Sequence, residues 1–101
     1  MSLFNKANSG FKSTEISTNT TTQVYTAPTE GTAILKRVVV GLAGASSPTI
    51  TIYNNTATTG TPVFSCSGGA AGVFDLDIMC DVGIRVVTAT GTAGTYYIIW
   101  A

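Results

Sequence analysis

The chain has no histidine. That removes the commonest general base, the usual activator of a serine or cysteine nucleophile, and the commonest metal ligand. It has two cysteines, Cys66 and Cys80, whose spacing fits neither a zinc ligand pair nor a CxxC redox motif. Charge is scarce. Five basic and five acidic residues make up 10 % of the 101 positions and cancel, where a typical soluble domain carries about 25 %. Without a basic stripe there is nothing to grip phosphates, so no nucleic-acid partner is expected. No apolar run approaches the ~18–20 residues of a membrane span, so no membrane partner is expected either. The start of the chain shows no apolar signal region, which gives an expectation of synthesis in the cytoplasm. The glycine-rich stretch 68–72 lacks the lysine and following helix of a phosphate loop. No enzyme activity and no cofactor are expected.

What is abundant is threonine, serine, glycine and β-branched residues, a composition that favours strands. From Thr14 onward the chain alternates short β-rich runs with turn signals such as 27–31, 44–48, 55–60, 68–72 and 91–94. Residues 33–42 (AILKRVVVGL) are apolar almost throughout and read as a central strand. Residues 49–54 alternate, with Ile50 and Ile52 on one face. Residues 73–79 alternate most cleanly, placing Phe74, Leu76 and Ile78 inward and Asp75 and Asp77 in water. No stretch combines a helical period with caps. Seven or eight short strands at spacings of about 10–12 residues predict an all-β, antiparallel β-sandwich of jelly-roll or immunoglobulin-like type, with a small barrel as the alternative. The sandwich is assigned to residues 14–101 and a flexible N-terminal arm to residues 1–13. The expected core comprises Ile34, Val38, Val40, Ile50, Ile52, Phe64, Phe74, Leu76, Ile78, Val86 and Ile98.

Few side chains are candidates for function. Phe4 and Phe11, with Lys6 and Lys12, lie in the arm and are the candidate partner-binding residues. Asp75 and Asp77 share a strand face roughly 7 Å apart, and with Asp81 they offer either a weak calcium site or a charged face that blocks edge pairing. Lys36 and Arg37, as neighbours on a strand, are expected on opposite faces and so in no common patch. Tyr53, Tyr96, Tyr97 and Trp100 serve either a sugar-stacking surface or a core and interface. A hairpin of residues 62–67 with 73–79 around the glycine-rich turn would hold Cys66 and Cys80 roughly 20 Å apart, leaving two free thiols.

The order of segments is itself familiar: TQVYTAP at 22–28, ILKRVVVG at 34–41, TITIYNNTATTGT at 49–61 and FDLDIMCDVGIRVV at 74–87. Over residues 14–101 this resembles small virion-associated proteins of tailed bacteriophages. The resemblance lies in composition and strand order, with no catalytic motif. It implies a structural component of the particle. The first expectation is a capsid decoration (cement) protein, a homotrimer on the major capsid protein, stabilising the shell where capsomers meet. The alternative is a tail, neck or fibre-tip component that contacts a host receptor, and a third class is a carbohydrate-binding sandwich with no virion role.

Overall fold

The structure, a computed structural model, describes residues 11–27 and 32–101. Phe4 and Lys6 lie outside the described residues, as does most of the 27–31 turn. Eight strands follow in chain order: β1 Lys12–Ile16, β2 Thr21–Thr26, β3 Ala33–Leu42, β4 Thr49–Tyr53, β5 Phe64–Ser67, β6 Gly72–Cys80, β7 Gly83–Ala89 and β8 Thr95–Trp100. They form two four-stranded sheets, β1-β8-β3-β6 (sheet A) and β2-β7-β4-β5 (sheet B), and every pair is antiparallel.

The topology follows from folding the chain once. β1 pairs β8, β2 pairs β7, β3 pairs β6 and β4 pairs β5, so the two halves run back along each other as one long ribbon turning between Tyr53 and Phe64. Wrapping that ribbon brings β3 beside β8 and β4 beside β7, which completes the sheets. This strand order is the jelly roll. It differs from the immunoglobulin-like ABED/CFG division. β5 and β6 fall in different sheets, so the hairpin expected around residues 68–72 does not form. The turn crosses the sandwich instead. Gly68 is buried at this crossing, donating its N–H to Pro48 O and accepting from Gly44 N at 2.8–2.9 Å.

The core is the facing side of both sheets: Leu35, Val38, Val40, Tyr96 and Ile98 from sheet A against Ile50, Ile52, Ile84 and Val86 from sheet B, all buried. Phe64, Phe74, Leu76 and Ile78 pack against it while half-exposed, because β5 and β6 are edge strands. Aromatic pairs bridge the two sheets near both open sides. Phe64 meets Phe74 with ring centres 5.5 Å apart, and Tyr25 meets Trp100 at 5.0 Å. The Tyr96 hydroxyl, fully buried, accepts from Gly94 N–H and donates to Gly68 O, satisfying both roles.

Two assignments change. Ile34 is half-buried, and Leu35 takes its place in the core. The cause is a register shift between Leu35 and Arg37 against both neighbouring strands: Ala33 and Leu35 face in before it, Val38 and Val40 after it. Lys12 and Ser13, assigned to the arm, belong to β1, where they pair with Trp100 and Ile99. Lys12 is on the inward-facing side at the sheet edge, its ammonium 5.2 Å from the Trp100 ring centre. A charged side chain pointing inward on an edge strand obstructs the addition of another strand.

Leu35→Ala is expected to cost about 2–5 kcal/mol in urea unfolding, as truncation of a fully buried leucine does. Ile34→Ala should cost less than half as much. Equal costs would place the phase change elsewhere.

Candidate interaction face

The two outer faces of the sandwich differ in chemistry. On sheet B the residues alternating with the core are Gln23, Thr49, Thr51, Tyr53, Ser65, Ser67, Arg85, Val87 and Ala89, mostly small and polar. Arg85 is tied down there: its guanidinium donates to Thr58 Oγ1 at 2.8 Å, Gln23 Oε1 at 2.9 Å and Thr56 O at 3.0 Å, which fastens the β4–β5 loop to the sheet.

Sheet A presents apolar side chains instead. Of five large hydrophobic residues exposed among the described residues, four lie on or beside this face: Phe11 (60 % exposed), Leu42 (63 %), Val73 (58 %) and Met79 (67 %). Ile34, Val39, Tyr97 and Ile99, each half-buried, fill the space between them. Tyr97 lies over Gly41, where an added Cβ would come within 3.1 Å of its ring.

The phase change in β3 also overturns the expectation for Lys36 and Arg37. Residue 36 faces outward by the rhythm before the shift and residue 37 by the rhythm after it, so the two cations share the outer face. Lys36 Nζ lies 2.7 Å from Asp77 Oδ1, and Arg37 Nε donates to Asp75 Oδ1. β3 therefore carries a column of two positive charges and β6 a parallel column of two negative ones. Both aspartates face a cation of their own chain, and no group of three or more metal-ligating residues occurs among the described residues. Exposed pairs like these contribute about 0–1 kcal/mol to folding, so their pattern matters more than their energy.

Next to this grid is an open cleft of about 520 Å³ lined by Phe11, Lys36, Arg37 and Ile99. Phe11 stands before β1, on the far edge of the sheet, yet its ring centre is 5.8 Å from Lys36 Nζ on β3. Of the four arm residues singled out from the sequence, Phe11 thus joins this face, while Lys12 packs against Trp100 at the edge. The signal for the rest was present in the alternation of residues 73–79, where the side facing water contains Val73 and Met79 as well as the aspartates.

At one end of the sandwich the β3–β4 and β7–β8 loops meet. Ser46, Ser47 and Thr90 adopt left-handed backbone conformations there (φ 58–62°), and Asn19 Nδ2 donates to Gly91 O at 2.9 Å. Three non-glycine residues in that region amount to stored strain, of order 1 kcal/mol or more each.

Neither a family model nor a curated protein matches this chain.

Both cysteines are free thiols, as expected, although the hairpin behind that expectation is absent. Burial pushes both thiols up, and for Cys80 the neighbouring Asp81 charge adds to it. The unfolded chain therefore releases these protons first. Stability from this source is complete below the ordinary thiol range, about 8.5, and is lost as pH rises through the folded values. Native protein at neutral pH should react slowly with a thiol reagent at Cys66 and only after unfolding at Cys80. Rapid labelling of Cys80 in the native state would contradict its burial.

Proposed function

We propose that this protein is a structural component of a bacteriophage particle, a capsid decoration protein that binds the major capsid protein and other copies of itself, with no enzymatic role. The observation that carries this reading is the apolar outer face of sheet A on a jelly roll. An exposed cluster of large hydrophobic residues on a small domain marks an interaction surface. The jelly roll is a fold used in viral capsids and in lectins, so the fold fits the reading without selecting it. The phage assignment rests on the resemblance over residues 14–101. Localisation on the virion follows from the same reading.

In this role the N-terminal residues supply the anchor to the shell. Phe4 and Phe11 are apolar anchors, with Lys6 beside them, and a body with no net charge gains little from electrostatic steering. Docking such a segment costs about 1–2 kcal/mol per residue in backbone entropy, so several side chains must bury together.

One observation favours a second reading. The strained loops around Ser46, Ser47 and Thr90 form a neutral, hydroxyl-rich end, which would suit a tail or fibre-tip component touching a receptor.

Copy number separates the two. Quantitative mass spectrometry of purified particles should find the protein in hundreds of copies, against a few to tens for a tail component. Deleting residues 2–10, which spares β1, should leave thermal unfolding nearly unchanged and sharply weaken attachment to bare capsids. Wild-type saturation by the truncated protein would remove the N-terminal anchor from the reading.

A further inference from the structure

We infer that the β3–β6 half of sheet A's outer face is an isologous contact surface, on which a second copy of this chain packs across a two-fold axis parallel to the strands. The inference stands apart from the capsid reading, because the pair would form in solution without a particle.

The surface has the symmetry that such a contact needs. Four successive rows cross from β3 to β6: Ile34 beside Met79, Lys36 beside Asp77, Arg37 beside Asp75 and Val39 beside Val73. The outer rows are apolar and the middle rows are ion pairs, positive on β3 and negative on β6. Consider a two-fold axis running along the strands, between β3 and β6, in the plane of contact. It keeps each row level and exchanges the columns. Arg37 then lies over the second copy's Asp75, Lys36 over its Asp77, Val39 over its Val73 and Ile34 over its Met79. Every row meets its complement, and each ion pair becomes part of a closed ring of four alternating charges. An axis across the strands exchanges the rows instead and sets Lys36 over the second copy's Arg37. That places like charges together. The charge pattern thus accepts one orientation and rejects the other.

Three further features fit a second copy as the occupant. The face is self-complementary, which an isologous contact requires and a contact with an unrelated protein does not. Its charges are already neutralised in pairs, so covering them strands no lone ion. Face-to-face packing of aligned sheets is an ordinary arrangement for β-structure. Where the resemblance to phage decoration proteins implies a homotrimer, this face favours a pair. Two strands of nine or ten residues cover less than a standard interface, so the pair should be weak and dependent on concentration.

The test uses the full chain. Sedimentation equilibrium from micromolar to millimolar protein should show a monomer passing into a dimer. A column-swapped variant (Lys36→Asp, Arg37→Asp, Asp75→Arg, Asp77→Lys) keeps its internal ion pairs and should dimerise with itself. Mixed with isotope-labelled wild type, it should form no mixed dimers by native mass spectrometry, because positive columns would then face each other. Val73→Lys, at a position already 58 % exposed, should weaken the wild-type dimer at least tenfold without changing the far-UV spectrum. It serves as the deciding variant if the swapped chain does not fold. A wild-type protein that stays monomeric throughout, one that forms trimers, mixed dimers in statistical proportion, or a Val73→Lys dimer of unchanged strength would each overturn the inference.

Discussion

The phase change in β3 at Lys36 is the constraint on which both sides of sheet A depend. A strand of ten residues with strict alternation would bury Ile34 with Lys36 on one side, or Leu35 with Arg37 on the other. Either choice would carry a cation into the core of a sandwich with no buried carboxylate among the described residues to receive it. Shifting the register between Leu35 and Arg37 lets Leu35 and Val38 both face in and both cations face out. The same shift assembles the positive column opposite Asp75 and Asp77.

Side-chain hydrogen bonds help close both ends of the sandwich. Tyr96 brings a hydroxyl from the middle of sheet A to the backbone of Gly68 and Gly94. Thr88 plays a similar part on sheet B, donating to Thr18 O at 2.8 Å and accepting from Thr20 N–H at 2.9 Å. Glycine at position 68 is required, because a Cβ there would collide with the Tyr96 hydroxyl. At the opposite end Asn54 holds the β6–β7 turn, accepting from Val82 and Gly83 N–H and donating to Asp81. A chain poor in charge thus fixes these ends with amides and hydroxyls, while Arg85 is the charged exception that holds the β4–β5 loop.

The fold class and most strand positions were legible in the sequence, because alternation is imprinted wherever one face of a strand is buried. Ile50, Ile52, Val86 and Ile98 fall inside as their patterns require. Pairing was not legible. A glycine-rich turn such as 68–72 looks the same locally whether it returns a strand to its own sheet or carries it across to the other, and only the global wrapping decides. Ile34 misled because an irregularity leaves no mark in a run that is apolar at most positions. The common orientation of Lys36 and Arg37 was hidden by that same irregularity. The face was half legible: Val73 and Met79 stood on the aspartate side of a clean alternation, but only the sheet order places Ile99, Tyr97 and Phe11 on the same face. The thiols were read correctly from a hairpin that does not exist, so a right outcome came from a wrong neighbour.

The pairing of β1 with β8 sets when this molecule can form. Lys12 meets Trp100 and Ile16 meets Tyr96, and β8 lies inside sheet A, between β1 and β3. A ribosome delivering this chain therefore cannot release a finished sheet in instalments: β1 and β3 must wait, their facing edges unpaired, until residues 95–100 have left the exit tunnel. Contacts of such long sequence separation make for slow closure, and the waiting edges are open to other copies at the moment of synthesis. The late arrival of β8 makes the interval before closure the molecule's most exposed stage, and the inward-pointing Lys12 on edge strand β1 obstructs part of that exposure.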